Sequence, residues 1–154
     1  MPACSTRQAT ACLETLVVRS PRAETAQAYL ACGTLALEAG QKAAAAKVFA
    51  LLADAKYLTS VRRGALAGQL SMADDRGPLL QKWLDGDDAA ARRVAADNLD
   101  KQPTAWLLTA ANGRPLERSF GLTELIAARG DKAALPLVME AARQKGNPAL
   151  RVRG

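Results

Sequence analysis

Few residues in this chain are equipped for chemistry. It has no histidine, so the commonest general base is missing, and its three cysteines are Cys4, Cys12 and Cys32. A cysteine nucleophile needs a base beside it, and the sequence places none near Cys32. Structural zinc wants Cys or His ligands at short paired spacings, and the chain has neither a His nor a CxxC pair. Cys4 and Cys12 lie eight residues apart, roughly one face of a helix, which is poor disulfide geometry within one rod. All three are expected to be small buried hydrophobes. Asp85, Asp87 and Asp88 cluster around Gly86, yet the cluster lacks the ligand spacing and closing bidentate carboxylate of a calcium loop. Helix capping is the expectation there, because helix N-termini carry partial positive charge. Gly64 and Gly68 fall inside an expected helix, so no glycine-rich phosphate loop exists. The residues therefore point away from an enzyme, a metal site or a cofactor.

Binding is better supplied. Lys82, Arg114, Arg143 and Lys145 could form a basic rim, and Trp83 and Trp106 could anchor a partner if exposed. The competing expectation for both tryptophans is burial as gap fillers in an alanine-rich core. Net charge is +6, spread as +2 over residues 1–57, zero over 58–112 and +4 over 113–154. A basic C-terminal part suits an acidic partner, nucleic acid included, but no dense cationic block or stacking aromatic set accompanies it.

A third group of cations recurs. Arg62, Arg92, Arg118 and Arg151 follow one another at spacings of 30, 26 and 33 residues. Each stands at the start of an expected helix, and the first three are followed by a second segment: Pro78-Leu79-Leu80, then Pro103 to Leu108, then Pro136-Leu137-Val138. As a charge ladder these arginines could meet phosphates. As repeat-locked positions they would pair with a neighbour's acidic turn at Asp85, Asp87 or Asp88, for which a guanidinium is suited. The second reading is favoured, because self-similarity at a period of ~20–50 residues marks stacked units that cannot bury their apolar faces alone.

The elements that would carry these residues are all helical. Hydrophobic residues are 49% of the chain, many of them alanine, and only 4% are aromatic; such a composition favours closely packed helices over sheet. A first helix is expected over 5–19, with Ala9, Cys12, Leu13, Leu16 and Val17 inward. Ser20-Pro21 opens a second, running to about Ala39 before the Gly40 stop. A third runs from Gln41 to about Ala55 with Ala45, Val48, Phe49 and Leu52 on one stripe. Ser60 is a candidate cap for a fourth, which reaches about Met72 with Val61, Ala65, Leu66 and Leu70 inward. Shorter helices follow from Pro78, from Asp87 or Asp88 and from Pro103, and a longer one starts at Pro115 and runs to about Arg129, closed by Gly130. Asp131 is expected to cap another that runs to about Gln144, ahead of a Gly146-Asn147-Pro148 turn.

Tyr29, Gly33, Gly40, Ala45 and Phe49 stand at the offsets of a tetratricopeptide unit, and this stretch resembles one. Gly33 and Ala45 would let two helices touch while Tyr29 and Phe49 fill the gaps. Ala36 departs from that pattern, as does the lack of a closing proline. Farther on, Ala128-Arg129-Gly130-Asp131 into Ala134-Leu135-Pro136-Leu137, then Asn147-Pro148 into Leu150-Arg151-Val152, resembles the short HEAT-like repeats of bacterial proteins. The likeness covers roughly residues 59–154, and Ala105-Trp106 departs from it. The resemblance implies a right-handed α-solenoid of stacked helical hairpins, tetratricopeptide-like over 1–57 and HEAT-like over 58–154, in one continuous stack.

The functional expectation is a non-catalytic scaffold that binds a protein or peptide on its concave face; the alternative is a nucleic-acid-binding module using the basic surface. No stretch is long and apolar enough for a membrane span, and Met1 to Arg7 offers no signal-peptide core. Cytoplasmic location is the default. Gly154 falls just inside what resembles a new repeat, which leads to two further expectations: an excised piece of a longer protein, or self-association through an exposed repeat end.

Overall fold

The computed structural model describes residues 6–19, 22–112, 114, 116–130, 132, 135, 136, 139 and 143. Among them the chain is all-helical, with no strand. The elements are α1 (Thr6–Arg19), α2 (Ala23–Glu38), α3 (Lys42–Leu52), α4 (Thr59–Met72), α5 (Gly77–Asp85), α6 (Ala89–Ala96), a 3-10 turn (Leu99–Lys101), α7 (Thr104–Ala111) and α8 (Leu116–Ala128). Of the helix expected after Asp131, Leu135, Pro136, Met139 and Arg143 are described and are helical; Asp131 itself and the Ser20-Pro21 cap lie outside the described residues.

Consecutive helices pair: α1 on α2, α2 on α3, α3 on α4, α5 on α6 and α7 on α8. A second set of contacts skips one helix, α2 to α4 and α4 to α6. Three apolar clusters follow one another along the chain. One runs from Val17 to Ala65, the next from Leu66 to Ala95, and the last from Leu99 to Ile126. Leu84 and Trp106 pack against both of the last two, so the clusters join rather than stand apart.

The first cluster is built around Phe49. Its ring lies between two helical glycines: a Cβ on Gly68 would meet Phe49 Cε2 at 2.6 Å, and one on Gly33 would meet Phe49 Cε1 at 2.9 Å. Real side chains do not approach so closely, so the two glycines are what allow α2 and α4 to close on α3. Tyr29, Ala45 and Phe49 are buried. Gly40 takes φ +74°, a left-handed conformation that glycine adopts without a Cβ penalty, and it ends α2 by turning the chain into α3.

Two local expectations are corrected. The stripe assigned to α1 is too wide: Val17 is buried, whereas Leu16 is 54% exposed and Cys12 is exposed. The cause is partnership, since α1 rests mainly on α2 and one helix can cover only a narrow line of another. Cys32 is likewise only partly buried, and Cys4 lies outside the described residues. Ser60 does not cap α4, because the helix begins at Thr59 and the N-cap position is Leu58, which has no side-chain acceptor.

Candidate binding groove

The feature most suited to holding another molecule is an open recess of about 360 Å³ between α4 and α6. Ser60, Arg63, Gly64 and Ala67 line it from α4, at positions that share one helical face. Val94, Asp97 and Asn98 line it from the other side. Three of the four α4 lining residues, Ser60, Gly64 and Ala67, are small, and Arg63 reaches across the recess to Asp97. Gly64 also abuts α2, since a Cβ on it would meet Leu30 Cδ2 at 2.5 Å.

The rim is polar. Arg63 Nη2 lies 3.0 Å from Asp97 Oδ2, and Arg93 Nε lies 3.1 Å from Asp97 Oδ1, so two guanidiniums share one carboxylate. Asn98 donates from Nδ2 to the Val94 carbonyl at 2.8 Å and accepts from Lys101 Nζ at 3.2 Å. The floor, made by Gly64, Ala67 and Val94, is apolar.

The recurring arginines have different duties. Arg62, with its side chain 14% exposed, donates from Nε to the Ala53 carbonyl at 3.1 Å and from Nη2 to Asp88 Oδ2. Asp88 is the N-cap of α6 and accepts from Ala90 N at 2.9 Å and Ala91 N at 3.3 Å. Burial pushes the Asp88 carboxyl upward, but the Ala91 and Ala90 amides and the Arg62 charge outweigh it and hold it below the usual carboxylate range. Arg92 instead turns back to its own helix entry, donating to the Asp87 carbonyl at 3.4 Å. The backbone of Arg118 lies in α8, and Arg151 and Asp131 lie outside the described residues.

The expected basic rim does not assemble around Arg114. Its side chain is 8% exposed, and it donates from Nε to Asp85 Oδ1 at 2.9 Å and from Nη1 to the Ala110 carbonyl at 2.6 Å. Buried and ion-paired, it fastens the turn after α7 to the end of α5. Lys82 and Arg143 are exposed, and Lys145 lies outside the described residues. Trp83 is buried in the second cluster, and Trp106 is half-buried, its Nε1 only 2.8 Å from where a Cβ on Gly77 would lie. Both tryptophans fill the core rather than present a free face.

Sequence reasoning passed over Arg63, Arg93, Asp97 and Asn98. The doublets Arg62-Arg63 and Arg92-Arg93 put two cations about 100° apart on each helix, but nothing in the doublets themselves says which one faces a groove. Arg62 turns inward, whereas Arg63 lines the groove and Arg93 meets Asp97 at its edge. Arg129 was missed too. It donates to the Gln102 carbonyl at 2.6 Å, to the Asp100 carbonyl at 2.6 Å and to Thr104 Oγ1 at 3.4 Å, pinning the end of α8 to the turn before α7.

Among the described residues no group of His, Cys, Asp or Glu is placed to hold a metal ion, and no helix is long and apolar enough to cross a membrane. The chain matches no family model, no curated protein and no solved structure.

Proposed function

We propose that this chain is a non-catalytic scaffold of stacked helical hairpins, HEAT-like with a tetratricopeptide-like N-terminal part, that binds a protein or peptide in the groove between α4 and α6. The observation that carries the reading is the recess itself, with its apolar floor and a rim of paired charge. Peptide sites commonly combine those two elements, area from the floor and orientation from a few polar groups. The helix-skipping contacts from α2 to α4 to α6 support the stacked arrangement, as does the succession of core clusters along the chain. The binding site moves accordingly, from the tryptophan-bearing helices α5 and α7 to the layer containing α4 and α6.

The nucleic-acid alternative is weaker because it loses cations. Arg114 is committed to Asp85, and Arg62 to Asp88.

The test is selection from displayed random short peptides by the full chain and by an Ala67→Trp variant. Ala67 is exposed and lines the recess, so the indole fills the floor without touching the core. Peptides retained by the parent chain and lost with Ala67→Trp support the reading. Retention of none, or equal retention by both, contradicts it.

A further inference from the structure

We infer that the α4/α6 groove takes an acidic segment of a partner protein, with an aspartate or glutamate carboxylate held at the Arg63–Arg93 rim and a small aliphatic side chain on the Gly64–Ala67–Val94 floor. The inference rests on the peptide-binding reading above and names the chemistry of the partner.

The argument is one of charge and committed donors. Arg63 and Arg93 reach the rim at Asp97, and Lys101 reaches it at the Asn98 amide oxygen. Arg63 is 45% exposed and Arg93 67% exposed at the side chain. Each guanidinium carries five N–H donors, and Asp97 engages Arg63 through Nη2 and Arg93 through Nε. Donors in excess of one carboxylate's needs therefore converge on the edge of an unfilled recess. Ion pairs so exposed are weak, which makes an added or exchanged carboxylate easy to accommodate. An aliphatic side chain seated on the floor would exclude water from the rim, and the same charges interact more strongly when water leaves.

The pairing of floor and rim also selects among acidic partners. A nucleic-acid backbone would run successive phosphates along the groove, past Asp97, and would leave Gly64, Ala67 and Val94 uncovered. A peptide alternates carboxylate and aliphatic groups at the spacing of neighbouring side chains, and so satisfies both.

The experiment sequences the peptides retained in the selection above. It then measures their affinity by fluorescence anisotropy for the parent chain and for Arg63→Gln/Arg93→Gln. Both arginines are exposed, and circular dichroism checks that the double variant stays helical. A second arm leaves the protein unchanged and replaces each Asp or Glu of a retained peptide by its amide. A third titrates a labelled DNA duplex at ~50 and ~200 mM salt. The expected result is a pool rich in Asp or Glu beside aliphatic residues. Affinity should fall roughly tenfold both in the double variant and with the amide peptides, as befits loss of charge-assisted hydrogen bonds. A pool without acidic bias whose binding survives Arg63→Gln/Arg93→Gln overturns the acidic partner; loss of that pool with Ala67→Trp would leave the scaffold reading standing. An empty pool takes down both. Steeply salt-dependent duplex binding that disappears in the double variant, with no acidic peptide retained, overturns the proposal in favour of a nucleic-acid partner.

Discussion

Arg62 and Asp88, 26 residues apart in the chain, meet so that the charge at the start of α4 secures the N-cap of α6. The same carboxylate thus ends two problems at once: the orphan amides of a helix entry and the half-buried guanidinium of a neighbouring helix. Replacing Asp88 by alanine should cost about 1–2 kcal/mol in urea unfolding, the worth of an N-cap, with the stranded Arg62 charge taking the loss toward the upper end. Asp88→Asn keeps a capping oxygen and should cost less.

The acid limb of stability follows from that carboxyl. Folding lowers its pKa, so its contribution is complete above the ordinary carboxylate range and is lost as pH falls through the folded value. The stability gap between the parent chain and Asp88→Asn should therefore close in acid. Urea midpoints across that range check it; a gap independent of pH would contradict the assignment.

At alkaline pH the relevant group is Tyr29. Burial first, and then the negative charge of Glu14, push its phenol up to about 12. A folded pKa above the unfolded one means that the neutral phenol stabilises the fold at every lower pH. The contribution begins to fail above the unfolded value of about 10 and is gone once pH passes the folded one. Tyr29→Phe should remove that alkaline loss, read as the difference in helical circular dichroism between the two proteins as pH rises.

Phe49 makes glycine obligatory at two places and irrelevant at a third. Gly68→Ala drives a Cβ into the ring at 2.6 Å and should destabilise by about 1–2 kcal/mol, overpacking outweighing the helix propensity gained. Gly121 in α8 is exposed and has nothing within 4 Å of its would-be Cβ, so Gly121→Ala should stabilise by about 0.5–1 kcal/mol. Thermal or urea unfolding of the two single variants checks the opposite signs.

Arg129 ties the end of α8 to the turn before α7 through the Gln102 and Asp100 carbonyls. Arg129→Ala should cost about 1–3 kcal/mol because two backbone carbonyls, of Asp100 and Gln102, lose a charged donor. Arg129→Lys should recover little of it, since an ammonium cannot span acceptors set for a fork.

Much of the fold was legible in the residues. Helix breaks marked by Gly40, Pro78, Asp88 and Pro103 fall within a residue or two of the observed ends, because each acts through local backbone chemistry. The close approach at Gly33 was legible for the same reason, a small residue opposite a large one. The groove was not. Nothing local distinguishes Arg63, which looks outward, from Arg62, which is committed to Ala53 and Asp88; that difference depends on where α6 packs. Arg114 was misjudged on the same ground, as a cation next to a turn looks exposed until Asp85 is brought to it.

The most direct test of the groove is a heteronuclear NMR titration of the chain with a retained acidic peptide, following backbone amides. Perturbations concentrated at Ser60, Arg63, Gly64, Ala67, Val94, Asp97 and Asn98 are the predicted result. Perturbations confined to α5 and α7 around Lys82 and Trp106, or none at all at saturating peptide, would contradict it.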